Sequence, residues 1–390
     1  MAVVVKIVGA TLLILVIVLA LAVTIVPRYL DRIYYEGPES DHFDGARFFN
    51  PDGDTDTGSP MPAGGSRTRF FWNQLTGRDG RPDWPATVSI SPIAPPPRVE
   101  GERMVATWVG HATLLIQTQG LNILTDPVWS RSAGPFGTGP KRVADPGIAF
   151  DALPKIDLIL VSHNHYDHLD KATLKRLWER DRPRIVTSLG NDSVIGQTGA
   201  EATALDWGQR FAVKPGVEIA VTRNHHWGSR WFTDRNRALW SGFVIALPGG
   251  NVFFAGDTGM GDGLWPAEAA ALGPIRLALI PIGAFRFVPG QMASGSHIGP
   301  VDAVEVHRRL GAARSIPIHW GTFRLSFEGR DTPPLMLAEA MRCTGQTGFA
   351  PVEIGQPVEI APYMKPAAAP PVARDALLKC LDTPAVRAFR

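Results

Sequence analysis

Cysteine is nearly absent from this chain of 390 residues, which has only Cys343 and Cys380. Two cysteines cannot build a disulfide framework, and they match no cysteine-rich zinc pattern. Two free thiols are the expected state, with one bridge between them as the alternative. Charge of one sign is scarce as well. The 39 basic residues face 37 acidic ones, for a formal net charge of +2. Proteins made to hold nucleic acid usually show a strong basic excess. With near balance and no basic stretch, no nucleic-acid partner is expected. Internal repeats are missing, and only ten histidines occur.

What is present points to a folded protein. Hydrophobic residues make up 45% of the chain, too many for a disordered one. The length allows one large domain or two smaller ones. Forty glycines and 34 prolines suggest a loop-rich fold. The longest apolar run is Ile7 to Val26, IVGATLLILVIVLALAVTIV, without a charge. At about 1.5 Å per residue a helix of that length crosses a bilayer's hydrocarbon core. Signal peptides have a shorter apolar core followed by a small-x-small cleavage site; this run is longer and ends in Val26, Pro27 and Arg28 with no such site after it. Residues 1–30 are therefore read as an uncleaved anchor. Lys6 before the run and Arg28 and Arg32 after it are too few to orient it.

Residues 31–100 read as a loop-rich extension that packs on the main domain or leads to it. Asn50 to Gly65 is turn-rich and Ser91 to Pro97 is proline-dense, with a helical patch at Thr68 to Leu75. Phe43, Phe48, Phe49, Phe70, Phe71, Trp72 and Trp84 argue against a plain linker. From residue 101 to 362 the texture changes. Short β-rich runs follow one another: MVATWV, ATLLIQT, LNILTD, IDLILVS, RIVTS, VEIAVT, FVIAL, NVFFAGD and RLALIPI. Glycine, proline, asparagine or aspartate bounds them, as it does strands. Helical patterns sit at KATLKRLWER, VDAVEVHRRL and PLMLAEAMRC. The class is α/β, a sandwich of packed sheets with helices outside. Residues 363–390 form a tail, proline-rich and then helical.

Three of the ten histidines fall in VSHNHYDHLD, residues 161 to 170. Such clusters serve metals or pH switching, or arise by accident. His163 and His165 are two apart and project the same way from an extended segment. Asp167 and His168 follow as the chain turns. His225 and His226, Asp257 and His319 also stand just past strands. Four strand ends that carry histidine or aspartate favour a metal site over chance. Local residues cannot fill two sites, so distant ligands are required. Asp126 in LTDP stands at another strand end, where a carboxylate can hold a ligand histidine from behind. His111 in VGHAT is a further candidate to face the site. Lys141 and Arg142 in GPKR are candidates to attract an anionic headgroup. His307 reads as structural or solvated, and His42 has no evident context.

SHNHYDHLD resembles the H-x-H-x-D-H signature of the metallo-β-lactamase superfamily. WVGHATLLIQ, LTDPVWSRSAGPFGTGPKR, NHHWGSR, ALWSGFVI, FFAGDTG and IPIHWGTF extend the likeness. Together they resemble the branch of N-acylphosphatidylethanolamine-hydrolysing phospholipase D and its bacterial relatives. The resemblance implies an αββα sandwich with a dinuclear centre, here preceded by a transmembrane helix. It implies one metal at His163, His165 and His226 and another at Asp167, His168 and His319, with Asp257 bridging. His226 is preferred to His225 because Trp227 follows it. His225 is left as a residue behind the ligands, facing substrate, or packed. His297 resembles a pocket histidine that meets substrate phosphate. Asp167, Asp257 and His297 form the expected catalytic set. Two Zn2+ ions are expected, with iron or manganese as alternatives.

The implied function is a metal-dependent hydrolase, phospholipase-D-like. It would cleave the phosphodiester of N-acylphosphatidylethanolamine-type lipids by attack of a metal-bridged hydroxide. The partners expected are a phospholipid substrate and a membrane, with a single-pass anchor in a bacterial inner membrane. One alternative keeps the fold but acts on a lactone or a soluble phosphodiester. Another is a non-catalytic metal-binding membrane module.

Overall fold

Each strand run of the main domain buries both of its faces, so the sequence shows continuous apolar stretches rather than clean alternation. The computed structural model describes residues 2–30, 33–53, 81–231, 233–287 and 291–389. In it, β1 (Met104–Gly110), β2 (Thr113–Thr118) and β3 (Leu121–Thr125) form an antiparallel meander. β4 (Leu158–Val161), β5 (Arg184–Ser188) and β6 (Thr203–Leu205) add to it in parallel. With β13 (Pro357–Glu359) the sheet order is β13-β1-β2-β3-β4-β5-β6.

The second sheet holds β7 (Arg210–Lys214), β8 (Val217–Thr222), β9 (Gly242–Ala246), β10 (Asn251–Phe254), β11 (Ile275–Pro281) and β12 (Arg314–Ile318). Its order is β12-β11-β10-β9-β8-β7. All nine strand runs read from the sequence are present. The edge strands β6 and β13 are three residues each, too short to stand out, and β7 (RFAVK) is framed by charged ends.

Side-chain period assigns the layers. In β4, Leu158 and Leu160 point between the sheets, where Phe243, Phe254, Leu277 and Ile316 meet them. Ile159 and Val161 point the other way, onto Leu174 and Leu177 of α2 (Lys171–Asp181) and Val194 of α3 (Asn191–Gly196). The second sheet turns Val244, Phe253 and Ile280 toward its own helices. These are α4 (Trp265–Ala270), α5 (Pro300–Leu310), α6 (Thr332–Thr344), α7 (Arg374–Leu381) and α8 (Pro384–Arg387). The four layers make an αββα sandwich.

Cys343 of α6 and Cys380 of α7 form a disulfide, which corrects the expectation of free thiols. They are 37 positions apart, but packing of α7 on α6 brings their Cα atoms to 6.1 Å, within bonding reach. The tail thereby belongs to the second helix layer. At the other terminus, α1 (Ala2–Leu30) carries Val3–Ile25, with mean hydropathy 2.9 and none of it buried. Its length and composition suit a membrane span, and a signal sequence meets the same criteria.

The extension packs on the sandwich wherever it is described. Phe43 and Phe48 are buried against Leu239 and Trp240. The Tyr34 hydroxyl donates to Asp234 at 2.9 Å, and Arg98 pairs with Asp157. The patch Thr68 to Leu75, with Phe70, Phe71 and Trp72, lies outside the described residues. His42 gains the context it lacked in sequence. It sits 2.7 Å from Asp206 and 2.6 Å from Asp41, with its ring stacked on Trp207.

Burial opposes the charge on His42, but the two carboxylates win and raise its pKa above the ordinary 6.5. Asp206 moves down from 3.8, because His42 outweighs its own burial. A raised histidine stabilises fully below its unfolded value and loses that contribution as pH rises through the folded one. A lowered aspartate contributes above its unfolded value and loses it in acid. The pair therefore stabilises most in the mildly acidic window between them. Asp206→Asn is expected to lower the melting temperature of detergent-solubilised protein at pH 6 by roughly 2 °C, and by less at pH 9. Equal losses at both pH values, measured by calorimetry, would remove the pair from the explanation.

Candidate metal centre

The strand ends gather on one edge of the sandwich. β3 and β4 of the first sheet run parallel, as do β8, β10 and β12 of the second, so their C-terminal ends open together. The ends lead to Asp126, the turn His163–His168, His226, Asp257 and His319. His111 comes from the tight β1–β2 turn. Three of these residues hold left-handed backbone conformations: His111 at φ 54, Asp126 at φ 31 and His319 at φ 62. Such strain in non-glycine residues persists where surrounding contacts impose it, and it concentrates at functional sites. α2 starts directly after the turn, where Asp170 caps it by accepting from Ala172 N and Thr173 N.

Four overlapping groups of ligand-type atoms result among the described residues, each with its members within 4.8 Å of one another, and two of them hold four residues. One is His163, His165, His226 and Asp257; the other is His111, Asp167, His168 and His319. In the first, His165 Nδ1 lies 2.8 Å from His163 Nε2 and 3.4 Å from His226 Nε2. Ligand nitrogens around one tetrahedral zinc lie about 3.3 Å apart, so this spacing fits a shared ion. Asp257 stands at the junction. Its Oδ2 is 3.1 Å from His168 Nε2, 3.0 Å from His319 Nε2 and 3.9 Å from His226 Nε2. Asp167 Oδ2 is 3.6 Å from His168 Nε2 and 3.5 Å from His319 Nε2.

The far sides of the rings are held in place. His168 Nδ1 donates to Asp126 at 2.6 Å, His226 Nδ1 to Ser296 O at 2.9 Å and His319 Nδ1 to Gly283 O at 3.2 Å. His163 Nδ1 meets the Ser162 hydroxyl at 2.9 Å. Protons on the outer nitrogens leave the inner lone pairs free to ligate. His168 Nε2, His319 Nε2 and Asp257 Oδ1 are buried and have no aligned hydrogen-bond partner among the described residues. Buried polar atoms are costly in that state. A bound cation would satisfy them, so the donor set fits a metal.

The charges divide the site. Burial drives His163 well below its ordinary value and takes His165 and His226 to about 3, the neutral form that ligates. His168 and His319 resist burial. Asp257 and Asp167 raise His168 well above 6.5 and His319 to about 9. Both aspartates stay well below the carboxylate range despite burial, held there chiefly by His168. Without metal, the two carboxylates favour the charged forms of His168 and His319. Divalent cations would take over that role.

The remaining candidates separate. Asp126 is fully buried and accepts from Ser162 N, Ser162 Oγ and His168 Nδ1 at 2.7, 2.6 and 2.6 Å. His111 Nε2 is 2.9 Å from Asp167 Oδ2. His297 Nδ1 is 3.8 Å from Asp257 Oδ2, and its ring contacts those of His226 and His319. His225 does not join them: it turns away to Asp52, 2.9 Å from its Nδ1, and of the alternatives left for it the structure shows the packed one. Alternate side chains along an extended segment face opposite ways, so two adjacent histidines cannot both point inward. Arg142 is corrected too. It is buried, donates to Val128 O at 2.9 Å and lies over Phe323, so only Lys141 of that pair meets solvent. His307 is structural, bonded to Ser315 and Thr347 O.

Three supporting residues escaped the sequence reading. Ser162 ties Asp126 to His163, and its place beside the cluster was a visible signal. Asn50 donates to His226 O at 2.9 Å, and Asp52 holds His225. Both lie in the extension, where nothing local marks them.

Known proteins resemble this chain in sequence and fold. The beta-lactamase superfamily domain matches residues 121–320. A Caenorhabditis elegans protein named N-acyl-phosphatidylethanolamine-hydrolyzing phospholipase D 1 is 37% identical over 270 residues, 65% of this chain and 75% of its own length. The mitochondrial protein of that type from Saccharomyces cerevisiae is 34% identical over 228 residues, 57% of this chain. The match spans 48% of the yeast protein's length. Among solved structures, a metallo hydrolase from the archaeon Ignicoccus hospitalis superposes with a TM-score of 0.51 at 20% identity. That superposition covers 66% of this chain and 99% of the archaeal one and speaks to fold alone. With the matched domain, the sandwich and the paired ligand groups in agreement, this chain belongs to the beta-lactamase superfamily, as a metallo-hydrolase of that fold.

Proposed function

We propose that the chain is a membrane-anchored, dinuclear zinc phosphodiesterase of the phospholipase D type. Its substrate would be an N-acylphosphatidylethanolamine-type lipid. Water adds to phosphorus, the bond to the headgroup oxygen breaks, and phosphatidic acid and an N-acylethanolamine leave. One observation carries the reading: two groups of ligand-type atoms meet at Asp257, close enough to share one oxygen. The names of the nematode and yeast relatives support the lipid. The apolar helix α1 supports attachment to the bilayer, with residues 101–362 as the hydrolase domain.

His163, His165 and His226 would hold one ion, Asp167, His168 and His319 the other, with Asp257 between. Bound zinc supplies Lewis acidity, which lowers the pKa of water and neutralises charge on the phosphoryl oxygens. The chain's own groups do the positioning. Asp126 and Ser162 fix His168 and His163, and the backbone carbonyls of Ser296 and Gly283 fix His226 and His319. His111 orients Asp167 through its hydrogen bond. His297 faces the junction, its Nδ1 without an aligned partner among the described residues, placed to hydrogen-bond a phosphate oxygen of the substrate.

The direct test is hydrolysis of N-acylphosphatidylethanolamine in mixed micelles by purified protein of known metal content. Release of N-acylethanolamine with about two zinc ions per chain is expected. Metal-loaded protein that leaves this lipid intact and cleaves a lactone or a soluble phosphodiester would overturn the substrate.

A further inference from the structure

The segment from Ser130 to Arg142 is a closed excursion outside the metal centre. Arg142 N donates to Arg131 O at 2.9 Å and Ala133 N to Pro140 O at 2.9 Å, with a bridge between Ser132 and Lys141. Its root is pinned. Asp170 accepts from Ser130 N at 2.9 Å, and Val143 N donates to Thr322 O. The neck needs glycine: a Cβ on Gly134 would stand 2.5 Å from Thr138 O, and one on Gly139 2.6 Å from Ala133 O. The tip, Pro135–Gly137, holds Phe136 at φ 55 and ψ 30. An aromatic residue pays strain in that left-handed region.

That effort displays an apolar ring to water. Phe136 is 86% exposed, the only exposed Phe or Trp among the described residues. Arg131 and Lys141 flank it, both exposed and neither engaged by a side-chain partner among the described residues. All three line a cavity of about 570 Å³, together with Tyr166 and Leu169. Tyr166 lies between His165 and Asp167, so the cavity borders the turn that carries the ligand candidates.

With a bilayer lipid as substrate, as proposed above, we infer that this hairpin docks the catalytic face on an anionic phospholipid surface. Phe136 enters the acyl boundary, and Arg131 and Lys141 meet lipid phosphates. An aromatic tip flanked by free cations complements an interface that is apolar below and negatively charged at its surface. The cavity then opens toward the lipid layer, beside the metal-binding turn. α1 holds the protein at the membrane, and the hairpin sets which face of the domain meets it.

The test uses full-length Phe136→Cys labelled with an environment-sensitive fluorophore and reconstituted into vesicles. The Cys343–Cys380 pair is oxidised and does not compete for label. Leu335→Cys, at an exposed position on α6, is the control. Vesicles contain phosphatidylcholine alone or with phosphatidylglycerol. The probe at 136 is expected to shift to the blue and to resist an aqueous quencher, more strongly with phosphatidylglycerol. Arg131→Gln with Lys141→Gln removes the phosphatidylglycerol increment. Phe136→Ser lowers turnover of vesicle lipid roughly tenfold. A probe at 136 that stays as wet as the control overturns the docking, even if lipid is hydrolysed. A probe that inserts while no lipid is cleaved sustains the docking and overturns the substrate instead.

Discussion

Asp257→Asn is expected to lower phosphodiester turnover roughly a thousandfold and to strip metal from the purified protein. Asp257 is 1% exposed and lies within 4 Å of histidines of both ligand groups. Its Oδ2 lies 3.1 Å from His168 Nε2 and 3.0 Å from His319 Nε2, and its Oδ1 has no hydrogen-bond partner among the described residues. An amide has nearly the same shape but no charge, and one of its two heads donates instead of accepting. Two cations a few ångströms apart would lose the anion between them. The protein itself would also lose a buried negative charge that raises the pKa of His168 and His319. Elemental analysis beside a lipid assay decides it. A variant with wild-type metal content and turnover would remove Asp257 from the centre.

Asp126→Asn is expected to weaken metal binding about 10- to 100-fold without altering any ligand. Asp126 accepts three hydrogen bonds in a fully buried pocket, one of them from His168 Nδ1 at 2.6 Å. Burial raises its pKa, while His168 and Ser162 pull the other way. Asparagine can keep the bond from Ser162 N through its carbonyl. The amide nitrogen would then face His168 Nδ1 as a donor. That favours the His168 tautomer with its proton on Nε2, the atom aimed at the centre, which blocks ligation there. Metal affinity should fall while excess zinc restores activity. Unchanged affinity by competitive chelator titration would show that Asp126 only supports the fold. Asp126→Ala removes all three acceptor contacts and should cost about 3 kcal/mol of stability besides.

The comparison between sequence and structure turns on how far apart the contacting residues are. The nine strand runs and the turn after β4 were legible because each is local: apolar runs between turn residues, then three histidines and an aspartate within six positions. His163, His165, Asp167 and His168 needed no partner segment to be noticed. Asp257, His226 and His319 could be proposed because each follows a strand, and parallel strands end on the same edge. The choice between His225 and His226 was different in kind. Nothing local distinguishes two adjacent histidines except the tryptophan that follows one of them. Asp52, far away in the extension, is what draws His225 outward. His42 had no meaning until Asp206 and Trp207 stood beside it.

By itself the sequence determined the α/β class, the apolar helix at the start, the order of the strands and the histidine cluster. These follow from hydrophobic period, turn residues and motif spacing, which act over a few residues at a time. Only the tertiary structure decided that Cys343 bonds Cys380, that Arg142 is buried while Lys141 is free, and that Asn50 and Asp52 brace the edge that carries the candidate ligands. It alone decided that Phe136 is held out into water. Each of these depends on segments tens to hundreds of positions apart. Whether such segments meet is set by the packing of the whole sandwich, and no short window of sequence carries that information.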